Sequence, residues 1–453
     1  AASFMNLIDV TIVNVALPTL HDELGATPNM IEWIIAGYTF AFALFLLPAG
    51  RMGDIFGRRR LFLVGVTVFT AASALCRFSP SVEWLVGARL VQGMGGALMA
   101  PQTLAIVPAL FPPEERGGVY AYFALTAGLA SVTGPIVGGL LIGADILGMS
   151  WRPIFLVNIP IGIAAFAGAL WVVPAIRGKR SLGIDIVGIP LAALTILALL
   201  VPLIEIAALG WRWWMGALFV AAPVLGWLFV RWQGRQERVG GPQLLPMRLL
   251  RERAFLTGSM LAGVLFSAIP GFFLVFAMYV QSGFGLTPLQ SGLMTIPFPL
   301  GLIAASPISN RLGDRYLRAR VICGSVCIAL GFLGIRIAIG QMPDTIHWLY
   351  TAPSFALAGI GMGNTVSPLF QTALSAAEGD DSGSASGAVQ SFQRLGNSFG
   401  VALVGGLFFM ALGNAAAGDK AAYAEAARTA TLYPLAGLLL IAVFALLRPL
   451  DRA

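Results

Sequence analysis

Long apolar stretches follow one another along most of the chain, separated by short polar segments. Stretches of about 20 apolar residues are typical of helices that cross the hydrocarbon core of a bilayer. The pattern predicts fourteen such helices, at approximately 3–20, 31–50, 61–77, 83–108, 118–143, 153–174, 183–205, 212–232, 254–281, 288–309, 320–340, 347–373, 384–412 and 430–448. The intervening segments are too short to hold a soluble domain. We therefore predict an all-α membrane protein.

The composition narrows the class of protein further. Of the 453 residues, 58% are hydrophobic and 11% are charged, and the mean hydropathy is +0.84. A soluble domain carries about 25% charged residues. These values exclude a soluble enzyme, a secreted disulfide-linked protein and a disordered chain. Cys76, Cys323 and Cys327 have no His or acidic residue with metal-ligand spacing beside them, so we interpret them as buried apolar residues and predict neither a metal nor a cofactor.

The basic residues are distributed unevenly between the two sides of the predicted membrane protein. If the odd-numbered helices run outward, twenty of the 28 Lys and Arg residues lie in cytoplasmic segments and five lie outside. Cytoplasmic loops are enriched in Lys and Arg, so we predict a multi-pass protein of the inner (plasma) membrane with both termini in the cytoplasm. The same asymmetry explains the net charge of +7 without any nucleic acid partner.

A short motif occurs after the second predicted helix and again, in degenerate form, after the tenth. The first copy, residues 50–60, contains Asp54, and the second, residues 310–318, contains Asp314. Parallel repeats related by an axis along the membrane normal are typical of transporters. The repeat predicts two six-helix bundles and an insertion between them: an N-terminal bundle at 1–174, two inserted helices with a cytoplasmic linker at 175–252, and a C-terminal bundle at 253–453.

Ionisable residues at membrane depth are rare in this chain. Asp9 lies within the first predicted helix and Arg89 within the fourth, whereas Glu205 lies near the outer end of the seventh. Charged groups in the membrane are costly, so they usually face a wet cavity or each other and mark function. We predict that Asp9 and Arg89 couple proton movement to transport. The alternative role of Asp9 is a structural hydrogen bond to a neighbouring helix, and that of Arg89 is a static ion pair. Glu205 lies near the membrane interface and has the alternative of simply reaching water.

The Gly-Asp turn after the second helix predicts a conformational latch. A carboxylate presented by such a turn can bind at the positively polarised N-terminus of a neighbouring helix and pair with an arginine. We predict that Asp54, Arg58 and Asp314 form this latch on the cytoplasmic side. The alternative is that the arginines only follow the charge rule for cytoplasmic loops.

The fifth predicted helix contains a cluster of residues that favour bending and close packing. Pro135 removes a backbone hydrogen bond and bends a helix, while Gly134 and Gly138, four residues apart, allow a partner helix to approach closely. We predict a hinge at these three residues. Ordinary packing of membrane helices is the alternative interpretation.

Five motifs in order resemble the major facilitator superfamily, and within it the fourteen-span family of drug:proton antiporters. They lie at residues 8–18, 50–60, 89–97, 134–139 and 151–162. Two features depart from the family pattern. Ala130 stands where the antiporter motif often has Gly, and spans nine to fourteen contain no acidic residue, whereas some multidrug members have further acids in their C-terminal half. The resemblance implies a monomeric, proton-coupled exporter of amphipathic, often cationic or zwitterionic compounds that works by alternating access. It also implies that Asp9 is the protonation site and that Arg89 modulates it.

The residues that contact substrate are predicted from side-chain type, because broad binders use aromatic and adaptable polar groups. The candidates are Asn14, Trp33, Tyr38, Gln92, Gln102, Tyr279, Gln281, Gln371, Gln393 and Arg394. The aromatic candidates have the alternative of packing or anchoring at the membrane interface. A dedicated exporter of a single metabolite or antibiotic is the second function, and an importer is the third. A membrane enzyme is disfavoured because no catalytic pair, membrane histidine or nucleotide-binding loop occurs, and a passive channel is disfavoured by the repeat and latch.

Overall fold

The computed structural model describes residues 2–24, 28–145, 148–175, 178–312, 315–341, 348–375, 377, 381–413, 415 and 418–447. Within these ranges the chain is helical and contains no strand. The helices are α1 (Ala2–Leu24), α2 (Pro28–Phe56), α3 (Arg58–Arg77), α4 (Val82–Ala105), α5 (Val107–Leu110), α6 (Pro113–Gly143), α7 (Pro153–Leu156), α8 (Asn158–Val172), α9 (Gly188–Leu209), α10 (Trp213–Val239), α11 (Met247–Arg251), α12 (Arg253–Met278), α13 (Pro288–Met294), α14 (Pro297–Leu312), α15 (Leu317–Gln341), α16 (Trp348–Ser375), α17 (Ser382–Leu412), α18 (Lys420–Ala430) and α19 (Leu432–Leu447).

Each predicted span coincides with one helix or with two consecutive helices. Within the described ranges, nine helical segments are long and apolar enough to cross a membrane. The prediction of an all-helical, multi-pass membrane protein is therefore confirmed, whereas the number of fourteen spans stays a prediction. The ninth predicted span ends in a π-helical turn at Tyr279–Gly283, a form of helix that is rare and occurs frequently at functional sites.

Several predicted spans are interrupted, and in two of them a proline lies at the start of the second helix. Within span 288–309, α13 ends at Met294 and α14 begins at Pro297. Within span 153–174, α7 ends at Leu156 and α8 begins at Asn158, two residues before Pro160. Proline has no backbone N–H to continue the hydrogen-bond ladder, so a helix restarts at such a residue more readily than it runs through it.

The described chain divides into two compact units. The first comprises Ala1–Leu110, Thr133–Phe255 and Ala376–Ser391, and the second comprises Phe111–Val132, Leu256–Ser375 and Phe392–Ala453. Helices α6 and α17 each contribute residues to both units. Helices α9 and α10, which the sequence predicts to be the inserted helices, pack on each other within the first unit, where α9 also contacts α2. The bundle limits predicted from the sequence repeat stay a prediction.

Helix α4 lies at the centre of the first unit, between α2 and α3. Close approach depends on its glycines: a Cβ at Gly95 would lie 2.5 Å from the backbone nitrogen of Phe69, and one at Gly93 would overlap the carbonyl oxygen of Tyr38. Because the backbones come this close, polar side chains of α4 can reach α1 and α3 directly. The packing of α4 therefore positions the ionisable groups described below.

Aromatic stacking forms the core of the second unit. The rings of Phe272 and Phe332 stack with centroids 3.7 Å apart, and Phe355 meets Phe272 edge to face at 6.2 Å. Gly331 and Gly361 bring α15 and α16 together, since a Cβ at Gly361 would lie 2.5 Å from the carbonyl oxygen of Gly324. This unit is an apolar scaffold with few charged groups inside it.

Candidate functional site

The carboxylate of Asp9 is fully buried in the first unit and accepts hydrogen bonds from three side chains. Gln92 Nε2 donates to Oδ1 at 2.8 Å, and Asn158 Nδ2 donates to the same oxygen at 2.8 Å. Arg89 Nη1 donates to Oδ2 in an ion pair. A buried carboxylate needs such compensation, because an unpaired charge in the interior is strongly destabilising. The structure thus brings Asp9 and Arg89 together, and their predicted role in proton coupling stays a prediction.

Arg89 is held by groups from two helices as well as by Asp9. Its Nε donates to the carbonyl oxygen of Ile34 at 3.1 Å, and its Nη1 also donates to Gln92 Oε1 at 2.9 Å. The ring of Tyr38 lies against the guanidinium, with 4.5 Å between Cζ and the ring centroid. With 1% of its surface exposed, Arg89 has a single orientation fixed by hydrogen bonds and a cation–π contact.

Asn158 connects Asp9 to α3. Its Nδ2 lies 3.0 Å from Ser73 Oγ, and that hydroxyl donates to the carbonyl oxygen of Phe155 at 2.9 Å. Asn158 is the first residue of α8, where the interruption described above places its amide at the start of the helix. Residues Asp9, Ser73, Arg89, Gln92 and Asn158, here called the Asp9 network, therefore link α1, α3, α4 and α8.

Sequence reasoning missed Ser73 and Asn158 as site residues. Asn158 was visible as one amide inside an otherwise apolar span and as part of the motif at 151–162. A polar side chain at membrane depth is itself a signal of this kind of network. Ser73 gave no comparable signal, because serine is common in membrane helices and its hydroxyl can bond its own helix.

The carboxylate of Asp54 lies at the N-terminus of α17. It accepts hydrogen bonds from the backbone N–H groups of Gly383 and Ser384, each at 2.9 Å, and from Ser384 Oγ at 3.1 Å. Arg58 Nη2 approaches Oδ1 at 3.3 Å. The free N–H groups and dipole of a helix N-terminus favour an anion. The predicted contacts of Asp54 with a helix N-terminus and with Arg58 are thus present, while Asp314 lies outside the described residues.

The turn that presents Asp54 depends on two glycines. Gly57, between α2 and α3, has φ of 98°, which L side chains rarely adopt. Gly50 faces α17 so closely that a Cβ there would overlap the carbonyl oxygen of Gly383. The sequence Gly-Arg-Met-Gly-Asp-Ile-Phe-Gly therefore bends the chain and lets α2 touch the beginning of α17.

A second carboxylate extends this contact towards solvent. Asp381 accepts from Arg51 Nη1 at 3.4 Å and from Arg248 Nη2, on α11, at 2.9 Å. Together with Asp54 and Arg58 these residues form a cluster that we name the cytoplasmic latch, after the side and the role that the sequence predicts for it: Arg51, Asp54, Arg58, Arg248, Asp381, Gly383 and Ser384. The contributions of Asp381 and Arg248 were not predicted, because no local pattern connects the linker after α10 to the start of α17.

The predicted hinge lies in the continuous helix α6. Gly134 is buried, and a Cβ there would overlap Thr11 Oγ1 of α1. Gly138 is also buried, whereas the side chain of Pro135 lies outside the described residues. The structure thus places Gly134 at a tight contact between α6 and α1, and the hinge itself stays a prediction.

The predicted substrate contacts differ in burial. The buried candidates are Tyr38, Gln92, Gln102, Tyr279 and Gln371. Gln102 Nε2 donates to the carbonyl oxygen of Ala49 at 2.9 Å, and Gln371 Nε2 donates to Ser367 Oγ at 3.1 Å. Gln281, Gln393 and Arg394 are half-buried, and Trp33 is exposed. The side chain of Asn14 lies outside the described residues. Their role in substrate binding stays a prediction.

A further polar cluster, also missed from the sequence, joins the inserted helices. The buried carboxylate of Asp185 accepts from Gln233 Nε2 at 2.7 Å, from Trp232 Nε1 at 2.9 Å and from the N–H of Gly188 at 2.7 Å. Gln233 Oε1 in turn accepts from the N–H of Leu244 at 3.0 Å. These bonds fix the start of α9 against α10 and the linker that follows it.

Comparison with known proteins places this geometry in a family. The family model described as "Major Facilitator Superfamily" matches residues 1–401 of the chain. The chain is 38% identical over 94% of its length, and 74% of the relative's, to a probable actinorhodin transporter of Streptomyces coelicolor. It is 32% identical to the tetracenomycin C resistance and export protein of Streptomyces glaucescens, over 90% of this chain and 74% of that one. A multidrug resistance protein B homologue of Mycobacterium tuberculosis is 33% identical over 89% and 74%.

Solved structures agree on the fold. The human organic anion transporter TETRAN superposes with a TM-score of 0.66 at 15% identity, covering 96% of this chain and 97% of that one. A proton:xylose symporter superposes with a TM-score of 0.67 at 14% identity, covering 98% and 93%. At such low identity the likeness concerns the fold. Family match, relatives and fold agree, and the chain belongs to the major facilitator superfamily of transporters.

Proposed function

We propose that this protein is a proton-driven antiporter that exports amphipathic antibiotic-like compounds by alternating access. The observation that carries the proposal is the Asp9 network, in which a buried carboxylate is bound by an arginine and two amides. A carboxylate and a cation at membrane depth mark ion pathways and proton relays in transporters. The names of the relatives, an antibiotic transporter, an export protein and a multidrug resistance protein, support export of such compounds.

The contacts of Asp9 suggest how proton binding and conformation are linked. In the conformation described, the carboxylate is shielded from water and its charge is paired with that of Arg89. Protonation of Asp9 removes the charge that holds Arg89, so the contact between α1 and α4 weakens. Proton binding and the arrangement of α1 and α4 therefore influence each other, which is what coupled transport requires.

The cytoplasmic latch gives the proposed cycle a second control point. Asp54 is bound by charge-assisted hydrogen bonds only while the N-terminus of α17 is in contact with α2. We assign the latch the role of stabilising one conformation, which opens when these bonds break. Fourteen spans, cytoplasmic termini, a location in the inner membrane and a monomeric state complete the proposed architecture.

The decisive experiment is efflux driven by an imposed pH gradient in proteoliposomes. We expect Asp9→Asn to abolish both substrate-driven proton movement and gradient-driven efflux, while downhill exchange of substrate persists. Glu205→Gln, which changes a half-buried acid in α9 outside the network, is the matched control and should retain efflux. Full gradient-driven efflux by Asp9→Asn would show that the mechanism does not require Asp9. An efflux rate that does not depend on the pH gradient would contradict proton coupling.

A dedicated exporter of one antibiotic is the second candidate. It is favoured by the 38% identity to the probable actinorhodin transporter, compared with 33% to the multidrug resistance protein B homologue. The two candidate functions differ in the range of substrates transported, so the same efflux assay separates them. Saturable transport of several unrelated scaffolds supports the multidrug exporter, and transport of a single scaffold supports the dedicated one.

A further inference from the structure

Helix α10 has a buried side and an exposed side. Its main neighbour is α9, and its buried residues are Met215, Ala222, Phe229 and Gln233. At about 100° per residue, these residues lie within about 40° of one another around the helix axis. The opposite side carries exposed residues that we call the α10 stripe: Trp213, Val220, Val224, Trp227, Arg231, Arg235 and Arg238. They fall within an arc of about 80°, so they form one continuous surface along the helix.

The α10 stripe changes from apolar to cationic along its length. Val220 and Val224 are 70% and 53% exposed, and Trp227, one to two turns further along, is 56% exposed. The cationic part begins at Arg231, and Arg238 lies about 10 Å beyond it along the axis. Tryptophan is enriched at the level of the lipid headgroups, where its ring meets both hydrocarbon and water. The arginines that follow Trp227 therefore lie at or beyond the headgroups, on the side that the sequence predicts to be cytoplasmic.

Indole rings position two of these arginines. The Cζ atom of Arg231 lies 5.1 Å from the ring centroid of Trp227, and that of Arg235 lies 5.9 Å from the ring centroid of Trp232. Trp232 is itself held in place, because its Nε1 donates to the carboxylate of Asp185 at 2.9 Å. A cation–π contact involves the face of a guanidinium, whereas its N–H groups point outward from the edge. The rings therefore restrict the arginines without using their hydrogen-bond donors.

The positive charge of the α10 stripe is not neutralised by a neighbouring acid. Within the described residues, Arg231, Arg235 and Arg238 take part in no ion pair. The acid closest to them in sequence, Glu237, points about 120° away from Arg231 around the helix and pairs with Arg251. Each arginine near a membrane surface strengthens the attraction to anionic lipids about fivefold. The stripe thus presents a cluster of cations to the headgroups of the membrane.

We propose that the α10 stripe is a binding site for an anionic phospholipid of the membrane. The phosphate group pairs with Arg231 and Arg235, because the planar guanidinium donates two parallel hydrogen bonds to such an anion. Arg238 attracts the rest of the headgroup, and an acyl chain lies along Val220 and Val224. The enrichment of cytoplasmic loops in Lys and Arg accounts for positive charge at this end of α10. It does not account for the alignment of the arginines on one exposed face beside tryptophan rings.

The test is native mass spectrometry of the purified full chain in detergent, titrated with dioleoyl phosphatidylglycerol or dioleoyl phosphatidylcholine. The two lipids have the same acyl chains, and only the first has a net negative charge. We expect the unmodified protein to bind phosphatidylglycerol about tenfold more tightly. The combined variant Arg231→Gln, Arg235→Gln and Arg238→Gln should lose most of this preference. Equal binding of the two lipids by the unmodified protein would overturn the proposal.

The matched control removes the same charge elsewhere in the first unit. It combines substitutions of exposed arginines that lie outside α10: Arg60→Gln, Arg180→Gln and Arg253→Gln. We expect this variant to keep its preference for phosphatidylglycerol. An equal loss of preference in the two combined variants would show that net charge alone attracts the lipid, and would overturn the site.

Three further measurements identify the occupant of the stripe. Trp227→Leu removes the ring beside Arg231 but keeps an apolar side chain, so phosphatidylglycerol should bind about two- to fivefold more weakly; unchanged binding would contradict the site. Glycerol 3-phosphate has the charge without acyl chains and should not displace the lipid, whereas displacement would indicate a site for soluble phosphate esters instead. The same spectra report the oligomeric state. A dimer that the combined α10 variant converts to a monomer would assign this surface to a second copy of the chain and overturn the lipid site.

Discussion

Asn158 Nδ2 donates a hydrogen bond to Asp9 Oδ1 at 2.8 Å, although 149 residues separate the two in sequence. The same carboxylate binds Arg89 through its other oxygen. One oxygen is thus held by neutral amides and the other by a cation. Protonation of Asp9 affects the contact with Arg89 and the contact with α8 together, so the acid is linked to two neighbouring helices instead of one.

The first prediction concerns Asn158→Ala. Removing the amide takes one donor from the buried carboxylate of Asp9 and one partner from Ser73, so we expect a loss of about 1–3 kcal/mol in stability. Thermal unfolding in detergent measures it. Asn364→Ala is the matched control, since the Nδ2 of Asn364 donates only within its own helix, to the carbonyl oxygen of Ile360, among the contacts described. Equal melting temperatures for the two variants would show that Asn158 is not a structural part of the Asp9 network.

The second prediction concerns Asp54→Asn. The amide keeps the shape of the side chain but loses the charge that the N-terminus of α17 and Arg58 both favour. A charge-assisted hydrogen bond contributes about 1.5–3 kcal/mol, which corresponds to a roughly ten- to hundredfold change in the ratio of two conformations. We expect the population with a closed latch to fall.

Spin-label distances test this change. Labels at Trp171 and Leu447, which are strongly exposed helix-end residues of the first and second unit, report the distribution of conformations after Cys323 and Cys327 are replaced. Glu237→Gln, which removes a half-buried carboxylate paired with the exposed Arg251, is the control. Identical distance distributions for Asp54→Asn and the unmodified protein would contradict the latch, and the motif would then only follow the charge rule for cytoplasmic loops.

The third prediction concerns Gly134→Ala in α6. The added methyl group would overlap Thr11 Oγ1, and forcing such a group into a packed contact costs typically about 1–3 kcal/mol. We expect a lower melting temperature and slower efflux. Combining it with Thr11→Ala should recover part of both, because the overlapping oxygen is removed. Gly139→Ala, five residues along the same helix with open space around it, should behave like the unmodified protein. Equal losses in Gly134→Ala and Gly139→Ala would exclude close packing on α1 as the cause.

The fourth prediction concerns the inserted helices. Gln233→Leu removes a donor to the buried carboxylate of Asp185 and an acceptor for the N–H of Leu244. We expect a loss of about 1–3 kcal/mol and faster proteolysis of the linker at residues 240–246. The exposed Gln341→Leu is the control. A linker that resists protease equally in both variants would show that the Asp185 cluster does not hold it.

Much of the fold could be predicted because membrane helices have a strong local signal. Every predicted apolar stretch is helical in the described residues. The interruptions before Pro297 and Pro160 could not be predicted from hydropathy averaged over about 20 residues, because such an average does not show a local break in a helix. The pairing of Asp9 with Arg89 was predictable for a different reason. Charged groups at membrane depth are so few that each has few candidate partners.

The remaining parts of the site depend on contacts between distant segments. Asp381 lies next to Arg51 and Arg248 only because α2, α11 and the start of α17 meet in the folded chain. The same holds for Ser73, whose partner Asn158 is 85 residues away. The substrate candidates Tyr38 and Gln92 show the opposite case: their residue type suited a binding site, but the fold places both against Arg89.

The two carboxylates of the cytoplasmic latch form ion pairs that differ in their access to water. The two pairs therefore respond differently to ionic strength. The side chain of Asp54 is fully buried, whereas that of Arg248, which binds Asp381, is 60% exposed. At about 1 M salt the screening length is roughly 3 Å, and exposed pairs lose their attraction while buried ones keep it. The contact between Asp54 and α17 therefore persists when the salt concentration rises, while the attachment of α11 loosens. Salt can thus weaken the bond between Arg248 and Asp381 without breaking the contacts of Asp54.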